Sequence, residues 1–323
     1  MNRAADRRYM AAALALSERG RARTGANPNV GCLLVREGRI IGRGWTQPGG
    51  RPHAEAMALA QAGNAARGAT AYVTLEPCAH QSLRGPTCAD SLIHAGVARV
   101  VVALTDPDPR TNGQGIARLQ AAGIAVEAGL GSDAARRAMA GWLMQHHAGR
   151  PLVTLKLATS LDGCIALGTG ESRWITGAAA RAHSHLERAR SNMVLVGRGT
   201  YAADAPQLNV RLAGLAAQSP ARAVLTHGAA PDGWLALDAP EQIHSLAAVH
   251  YLMVEGGAET AAAFLKAELV DRLMLYRAPV LIGGGKPCLG DIGLHQLAEA
   301  HGKWQLVDRR MLGKDQFELY ERA

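Results

Sequence analysis

Apolar and polar positions along this chain fall into two successive strand–helix series. In the first, residues 3–19 predict an amphipathic helix that ends at Gly20. Val30–Val35 is an apolar run, Arg36-Glu37-Gly38-Arg39 turns it, and Ile40–Trp45 returns, which predicts a hairpin. Pro52 introduces a helix over His53–Ala62; Ala71–Leu75 is a strand that Glu76-Pro77 stops. A helix over Cys88–Ala95 ends at Gly96, and Arg99–Leu104 is nearly all apolar, the pattern of a buried parallel strand. Gly115–Ala122 is a helix, Ile124–Glu127 a short strand and Asp133–His147 a closing helix, with Met139, Trp142 and Leu143 on its core face. Strand–helix alternation after an antiparallel start predicts an α/β sandwich.

Gly149-Arg150-Pro151 marks a domain boundary, because a helix does not easily run through proline and an apolar strand, Leu152–Leu157, follows at once. The second series predicts a helix at Ala178–Arg190, strands at Met193–Val196, Ala223–Thr226 and Tyr251–Val254, a helix at Thr260–Lys266 and a strand at Asp271–Tyr276. Trp304–Asp308 and Gln316–Tyr320 predict a terminal hairpin. The chain thus reads as two domains, 1–148 and 151–323, which suits its 323 residues.

Composition narrows the function classes. A hydrophobic content of 48% with 19% charged residues is that of a globular chain, not a disordered one. Lys+Arg 35 against Asp+Glu 27 gives +8 with no long basic run, which suits a phosphorylated small substrate or a dinucleotide phosphate. An aromatic content of 4% offers few platforms for stacking exposed bases, so nucleic acid is not expected as a partner. No stretch is long and apolar enough to span a bilayer, and the acidic residue and amphipathic helix at the N-terminus do not form a signal-peptide core. Five scattered cysteines argue against a disulfide framework, so a cytoplasmic enzyme is expected.

The chemistry concentrates in His53-Ala54-Glu55, Pro77-Cys78 and Cys88. One imidazole and two thiolates can hold Zn²⁺ and leave a fourth position for water, with Glu55 placed to carry protons. H-x-E followed by P-C-x-x-C is the signature of zinc nucleobase deaminases; here the first half matches, while the cysteines stand ten apart. Both cysteines are expected near a second helix start, where the backbone favours thiolate. A structural zinc needs four protein ligands, and His80 is the one candidate for a fourth. Cys32, Cys164 and Cys288 read as buried small side chains, and His94, His146 and His147 as surface or packing residues.

Longer words are more specific. Asn27-Pro28-Asn29-Val30-Gly31-Cys32, Pro52-His53-Ala54-Glu55, Tyr72-Val73-Thr74-Leu75-Glu76-Pro77-Cys78-Ala79-His80 and Asp106-Pro107-Asp108-Pro109 closely resemble the deaminase domain of the bifunctional riboflavin-biosynthesis deaminase/reductases. Leu155-Lys156-Leu157-Ala158-Thr159-Ser160-Leu161-Asp162-Gly163, Gly170-Glu171-Ser172-Arg173-Trp174-Ile175-Thr176, Asp204-Ala205-Pro206-Gln207-Leu208-Asn209-Val210-Arg211 and Val254-Glu255-Gly256-Gly257 resemble their reductase domain. The resemblance covers nearly the whole chain. It implies a cytidine-deaminase-like three-layer α/β sandwich followed by a dihydrofolate-reductase-like α/β domain. No G-x-G-x-x-G follows the first strand, so a Rossmann domain is not expected.

The resemblance further implies hydrolytic deamination of a diaminopyrimidinone carrying a ribosylamino 5-phosphate, then NADPH-dependent reduction of its ribosyl group to ribityl. His53, Cys78 and Cys88 become the zinc ligands, Glu55 the catalytic proton carrier, and Asn27 a pyrimidine contact or, alternatively, a turn cap beside Pro28. Ala158, Trp174, Thr200, Asp204 and Gly257 match cofactor contacts, with packing as the alternative for Trp174. Ser172, Arg188, Leu208, Arg211 and Glu255 match substrate contacts. Arg188 and Arg211 are expected to clamp a phosphate, and the Gly256-Gly257 backbone to approach the cofactor's phosphates. The family assembles, so a homo-oligomer is expected.

This chain departs from the family pattern twice. The cysteine spacing is one residue longer, which shifts the alignment of His80 and Arg84 as substrate contacts, and the segment between Arg211 and Glu255 is shortened, next to where the cofactor's adenosine phosphate is expected. Two rival readings follow: a deaminase of another nucleobase whose reductase-like half is weakened, and a zinc-stabilised binding module.

Overall fold

The apolar runs of the first series become strands of one sheet. In the computed structural model, which describes residues 3–80 and 85–323, the chain divides into two units, residues 1–147 and 148–323. The first contains α1 (Arg3–Ser17), β1 (Gly31–Arg36), β2 (Arg39–Trp45), α2 (Ala54–Ala62), β3 (Thr70–Val73), α3 (Cys88–Ala95), β4 (Arg99–Val102), α4 (Gln114–Ala121), β5 (Ala125–Ala128), α5 (Ser132–Ala138) and α6 (Ala140–Ala148). The strand order is β2-β1-β3-β4-β5. The β1–β2 hairpin and the β1–β3 pair are antiparallel, and β3, β4 and β5 run parallel.

Glycine sets where the helices sit on this sheet. A Cβ at Gly31 would meet the Ala13 carbonyl oxygen of α1 at 2.0 Å, and one at Gly44 the Ala54 carbonyl oxygen of α2 at 1.9 Å. Gly44 pairs with Cys32, the neighbour of Gly31, so α1 and α2 lie on opposite faces, because successive residues point to opposite sides. Gly42 repeats the contact one helical turn along α2, 2.3 Å from the Ala58 carbonyl oxygen. The small residues of α2 that this close seat requires, Ala54 and Ala58, are fully buried. On the other face, α1 is tied down by Asp6, whose buried carboxylate accepts from Tyr72 Oη at 2.5 Å and from two nitrogens of Arg99 at 2.9 Å. The Arg99 hydrogen bonds hold the Asp6 carboxyl below its ordinary range.

The expected closing helix at Asp133–His147 is two helices. The chain leaves α5 at Met139 (φ −106°, ψ 15°), whose side chain is fully buried. Periodicity marked the buried face correctly but not this break.

The second unit comprises β6 (Leu152–Thr159), β7 (Cys164–Ala166), α7 (Ala178–Ala189), β8 (Met193–Gly197), α8 (Arg198–Asp204), β9 (Ala221–Leu225), β10 (Leu235–Leu237), β11 (Tyr251–Val254), α9 (Ala258–Lys266), β12 (Arg272–Arg277), β13 (Lys286–Pro287), β14 (Trp304–Leu312) and β15 (Asp315–Arg322). Its sheet runs β10-β9-β8-β11-β6-β12-β15-β14, with β7 and β13 paired separately. The first six strands are parallel, and the terminal hairpin adds two antiparallel ones. Core residues alternate between the faces: Met193, Leu195, Leu252 and Val254 in one cluster, Val194, Val196 and Met253 in the other. Burial on both faces is why these strands read as continuous apolar runs. The segment from 212 to 254, short as it is, supplies β9, β10 and β11.

Gly44→Ala tests the seat of α2. The added methyl meets backbone, not a flexible side chain, so α2 must shift; the expected loss is about 1–3 kcal/mol of stability, with reduced metal retention. Chemical denaturation of the full chain and metal analysis check this, and a variant matching wild type in both rejects the close-packing account.

Candidate functional site

The Arg51–Pro52 peptide is cis, and His53 is the N-cap of α2 (φ −69°, ψ 162°) rather than its first residue. Glu55 follows in the first turn, 3% exposed. Cys88 opens α3 behind Thr87, whose hydroxyl accepts from Asp90 N at 3.0 Å. Cys78 is not at a helix start, contrary to expectation; it lies in the loop after β3, yet its sulfur accepts the Cys88 amide at 3.3 Å. The helix N-terminus thus acts on Cys78 from across the site.

These three donors converge. His53 Nδ1 lies 3.2 Å from Cys88 Sγ and 3.8 Å from Cys78 Sγ, and all three ligand atoms fall within 4.8 Å of one another. Tetrahedral zinc at ordinary Zn–N and Zn–S lengths places its ligands about 3.5–3.8 Å apart, so one nitrogen and two sulfurs so spaced fit that ion. Among the described residues no fourth side chain joins the group. His80 instead has its Nδ1 3.3 Å from Thr111 Oγ1, which removes the structural-zinc alternative its presence raised. Hydrogen bonds from the Cys88 thiol and from His53 lower the Cys78 thiol to about 4, while Cys88, bonded to Cys78 and buried, is raised. Burial pushes the Glu55 carboxyl up to about 7.

The cavity beside this cluster has a volume of about 240 Å³. His53, Glu55 and Cys78 line it together with Asn27 and His80, both singled out in the sequence. Asn27 Nδ2 donates to Thr24 O at 3.3 Å, so the turn-cap role is filled while the residue also faces the cavity. Arg84 lies outside the described residues. Sequence reasoning missed Trp142 and His146, which line the same cavity with rings stacked at 5.8 Å. It also passed over the carboxylates of Asp106 and Asp108 as individual groups, though their word was noticed.

In the second unit the candidates gather at the carboxyl ends of the parallel strands β6, β8 and β11, where open α/β sheets bind ligands. Thr200 and Asp204 are on α8 after β8, Glu255 and Gly257 lie between β11 and α9, and Ala158 is near the end of β6. All five line one cleft of about 680 Å³. An adjoining cleft of about 810 Å³ is lined by Ser172, Trp174, Arg188, Leu208 and Arg211, and shares Thr200, Asp204 and Glu255 with the first. Trp174 is 63% exposed with the Arg181 guanidinium 4.7 Å from its ring centroid, so it is not a core packing residue. Leu208 is 3% exposed and belongs to the core, which leaves its backbone to face a ligand.

Two expected arrangements differ. Arg188 is not a free phosphate clamp: its Nε and Nη2 grip Glu255 at 2.5 and 2.8 Å, and its Nη1 donates to Asn209 O at 3.2 Å. The Gly257 amide is also committed, donating to Thr200 Oγ1 at 3.0 Å, so the hydroxyl stands where a bare N–H was expected. Lys156, missed as a site residue, adds a second cation to Glu255 at 3.5 Å. Burial opposes the Glu255 charge, but Lys156 and Arg188 outweigh it and hold the carboxyl near 2. His185, also missed, lines the same region with Nδ1 near Asn209 O at 3.1 Å and the Arg211 amide at 3.3 Å. The clefts present hydroxyls, glycine backbone and cations at a helix start, a donor set that fits a phosphorylated dinucleotide beside a phosphorylated substrate.

Both units match known protein families. Residues 3–104 match the cytidine and deoxycytidylate deaminase zinc-binding region, and residues 151–316 match the RibD C-terminal domain. Riboflavin biosynthesis protein RibD of Escherichia coli (strain K12) is 39% identical over 359 aligned residues, covering 96% of this chain and 97% of that protein. That of Aquifex aeolicus (strain VF5) is 37% identical over 93% and 94% of the two chains. The solved structure of Acinetobacter baumannii RibD, form 1, superposes over 100% of both chains with a TM-score of 0.89 at 36% identity. The Thermotoga maritima diaminohydroxyphosphoribosylaminopyrimidine deaminase/5-amino-6-(5-phosphoribosylamino)uracil reductase does so with a TM-score of 0.91 at 28% identity.

Each site gives a prediction. His53→Ala, Cys78→Ser and Cys88→Ser should each drop retained zinc to below about a tenth of an equivalent on dialysis, read by metal analysis; a full equivalent in any of them removes that residue from the ligand set. Glu255→Gln should lower the thermal midpoint at pH 7. Because the Glu255 carboxyl is depressed in the fold, its contribution is present above the unfolded carboxyl range and fades as pH falls, so the gap to wild type should close between about pH 4 and pH 2. A gap independent of pH over that range would reject the ion-pair account.

Proposed function

The chain belongs to the family of bifunctional riboflavin-biosynthesis deaminase/reductases, and on that premise we propose how its residues divide the work. It is a zinc-dependent aminohydrolase and an NADPH-dependent oxidoreductase: it hydrolyses the 2-amino group from 2,5-diamino-6-(5-phosphoribosylamino)pyrimidin-4(3H)-one, then reduces the ribosyl side chain to ribityl. We assign the deaminase to residues 1–148 and the reductase to residues 151–323. The observation that carries the first assignment is the convergence of His53 Nδ1 with the sulfurs of Cys78 and Cys88 at the wall of a cavity that Glu55 also lines.

In the deaminase, His53, Cys78 and Cys88 would hold zinc, which when bound would supply the charge that lets water ionise near neutral pH. Glu55 takes one proton from the attacking water and passes it to the ring nitrogen, then takes the second from the newly formed hydroxyl and passes it to the amino group, which departs as ammonia. Water adds, the carbon–nitrogen bond to the amino group breaks, and the ring keeps a carbonyl oxygen. Asn27 orients the pyrimidine from the loop before β1.

In the reductase, NADPH when bound would supply the hydride for the sugar carbon. Thr200, Asp204, Gly257, Ala158 and Trp174 seat the cofactor in the clefts at the carboxyl ends of the strands, and Ser172, Arg211 and the Leu208 backbone seat the substrate. Arg188 and Glu255 act as a pair: each neutralises the other, and together with Lys156 they present a fixed polar wall to the ribosyl chain. The net charge of +8 favours the anionic substrate and cofactor over a neutral pair.

We place the enzyme in the cytoplasm, working without nucleic acid. Among the described residues no helix is long and apolar enough to cross a membrane. The chain self-associates, a reading supported by the exposed Leu306, Val307 and Met311 on the edge strand β14.

A stepwise assay tests the division. With the diaminopyrimidinone alone, ammonia should appear without NADPH, and NADPH should be oxidised only once deaminated product is present. Glu55→Gln should keep its zinc and its reduction of supplied intermediate while ammonia release falls by about 10²–10⁴-fold. Ammonia release at the wild-type rate in that variant would sink the assignment of Glu55.

A further inference from the structure

One buried acid beside the metal ligands has no part in the chemistry above. Glu76 is 3% exposed, two residues before Cys78. Its backbone amide is pinned to Leu104 O, two residues past β4, at 2.8 Å. Its carboxylate accepts four backbone N–H groups: Oε2 from Asp106 at 3.2 Å and Gly113 at 2.9 Å, Oε1 from Gly115 at 2.9 Å and Ile116 at 3.1 Å. Gly115 and Ile116 are in the first turn of α4, whose N-cap, Gly113, has no side chain to satisfy them. A carboxylate is favoured there by the helix dipole.

The four bonds clamp both ends of the segment 106–116. Between them lie Asp108 and Arg110, paired to each other at 2.5 Å, and at the start Asp106, whose Oδ1 accepts the Asp108 amide at 2.9 Å. Asp106, Asp108 and Arg110 line the cavity that His53 and Glu55 line. The fit leaves no slack: a Cβ on Gly115 would stand 2.0 Å from the Pro77 carbonyl oxygen. Glu76 therefore links the strand end that leads to Cys78 with the wall of the cavity that meets the substrate.

We propose that Glu76 is a positioning residue of the deaminase, which acts through Asp106 by fixing the segment 106–116 against the metal-bearing loop. The proposal rests on the deaminase reading of this cavity. A displaced wall costs substrate binding and orientation while the zinc donors stay in place. Glutamine has the same shape but turns an NH₂ toward two of the four N–H donors, so Glu76→Gln should release one end of the segment.

The test uses the full chain with the diaminopyrimidinone. Glu76→Gln should lower kcat/KM for ammonia release by about 10–100-fold, mainly through KM, with a full equivalent of zinc and unchanged reduction of supplied intermediate. In an Asp106→Ala background, which keeps the four amides but removes the side chain that the clamp positions, the same change should cost less than in the wild-type chain. Gly115→Ala, which pushes the segment off Pro77 and leaves the carboxylate intact, should reproduce the KM rise, and it carries the test if Glu76→Gln does not fold. Wild-type kcat/KM in the variants, loss of zinc, or full multiplicative losses with Asp106→Ala would each overturn the proposal. A wild-type chain that releases no ammonia overturns the deaminase reading itself; a variant as fast as an active wild type overturns only the role of Glu76.

Discussion

The amide of Cys88 donating to the sulfur of Cys78 is the contact on which the first unit's chemistry depends. It joins the loop after β3 to the start of α3 across ten positions of sequence, and it brings a helix N-terminus to bear on a sulfur outside that helix. With His53 delivered by the cap of α2, the donors come from two helix starts and one loop, all fixed by the same sheet. The extra residue between the cysteines is compatible with this contact, which is made across the longer spacing.

The second unit uses a different device. There one carboxylate with a buried side chain, Glu255, is flanked by Lys156 from β6 and Arg188 from α7 just after β11. Taking such a charge out of water is costly unless it is paired and hydrogen-bonded, and two cations do this here. The consequence is a division of labour among residues that look alike in sequence. Arg188 serves the protein's own acid, whereas Arg211 is exposed and lines the same cleft, where we propose that it meets the substrate's phosphate.

Much of this was legible from residue types and periodicity, and the failures share a cause. The ligand triad announces itself because imidazole and thiolate beside an H-x-E word have few other uses. The strands at Met193, Tyr251 and Arg99 were readable because burial on both faces leaves continuous apolar runs. Periodicity tells which face of a helix is buried but not what it faces. Trp142 read as core and His146 as surface, as they are, yet both also line the first unit's cavity. Glu76 read as the residue that stops a strand, since nothing in sequence reveals four amides waiting some thirty to forty positions later. The commitment of Arg188 to Glu255, 67 residues away, is hidden for the same reason.

The contact between Gly44 and Ala54 has a bearing on how this protein tolerates change. Because main chain rests on main chain at that point, the helix that presents the imidazole and its neighbouring acid is registered against the hairpin without interdigitating side chains. Substitutions that reshape the hydrophobic interior elsewhere can be absorbed by rotamer adjustment without moving that reference surface. The height of α2 above the sheet is therefore set by these few small residues, where any added side-chain atom meets backbone.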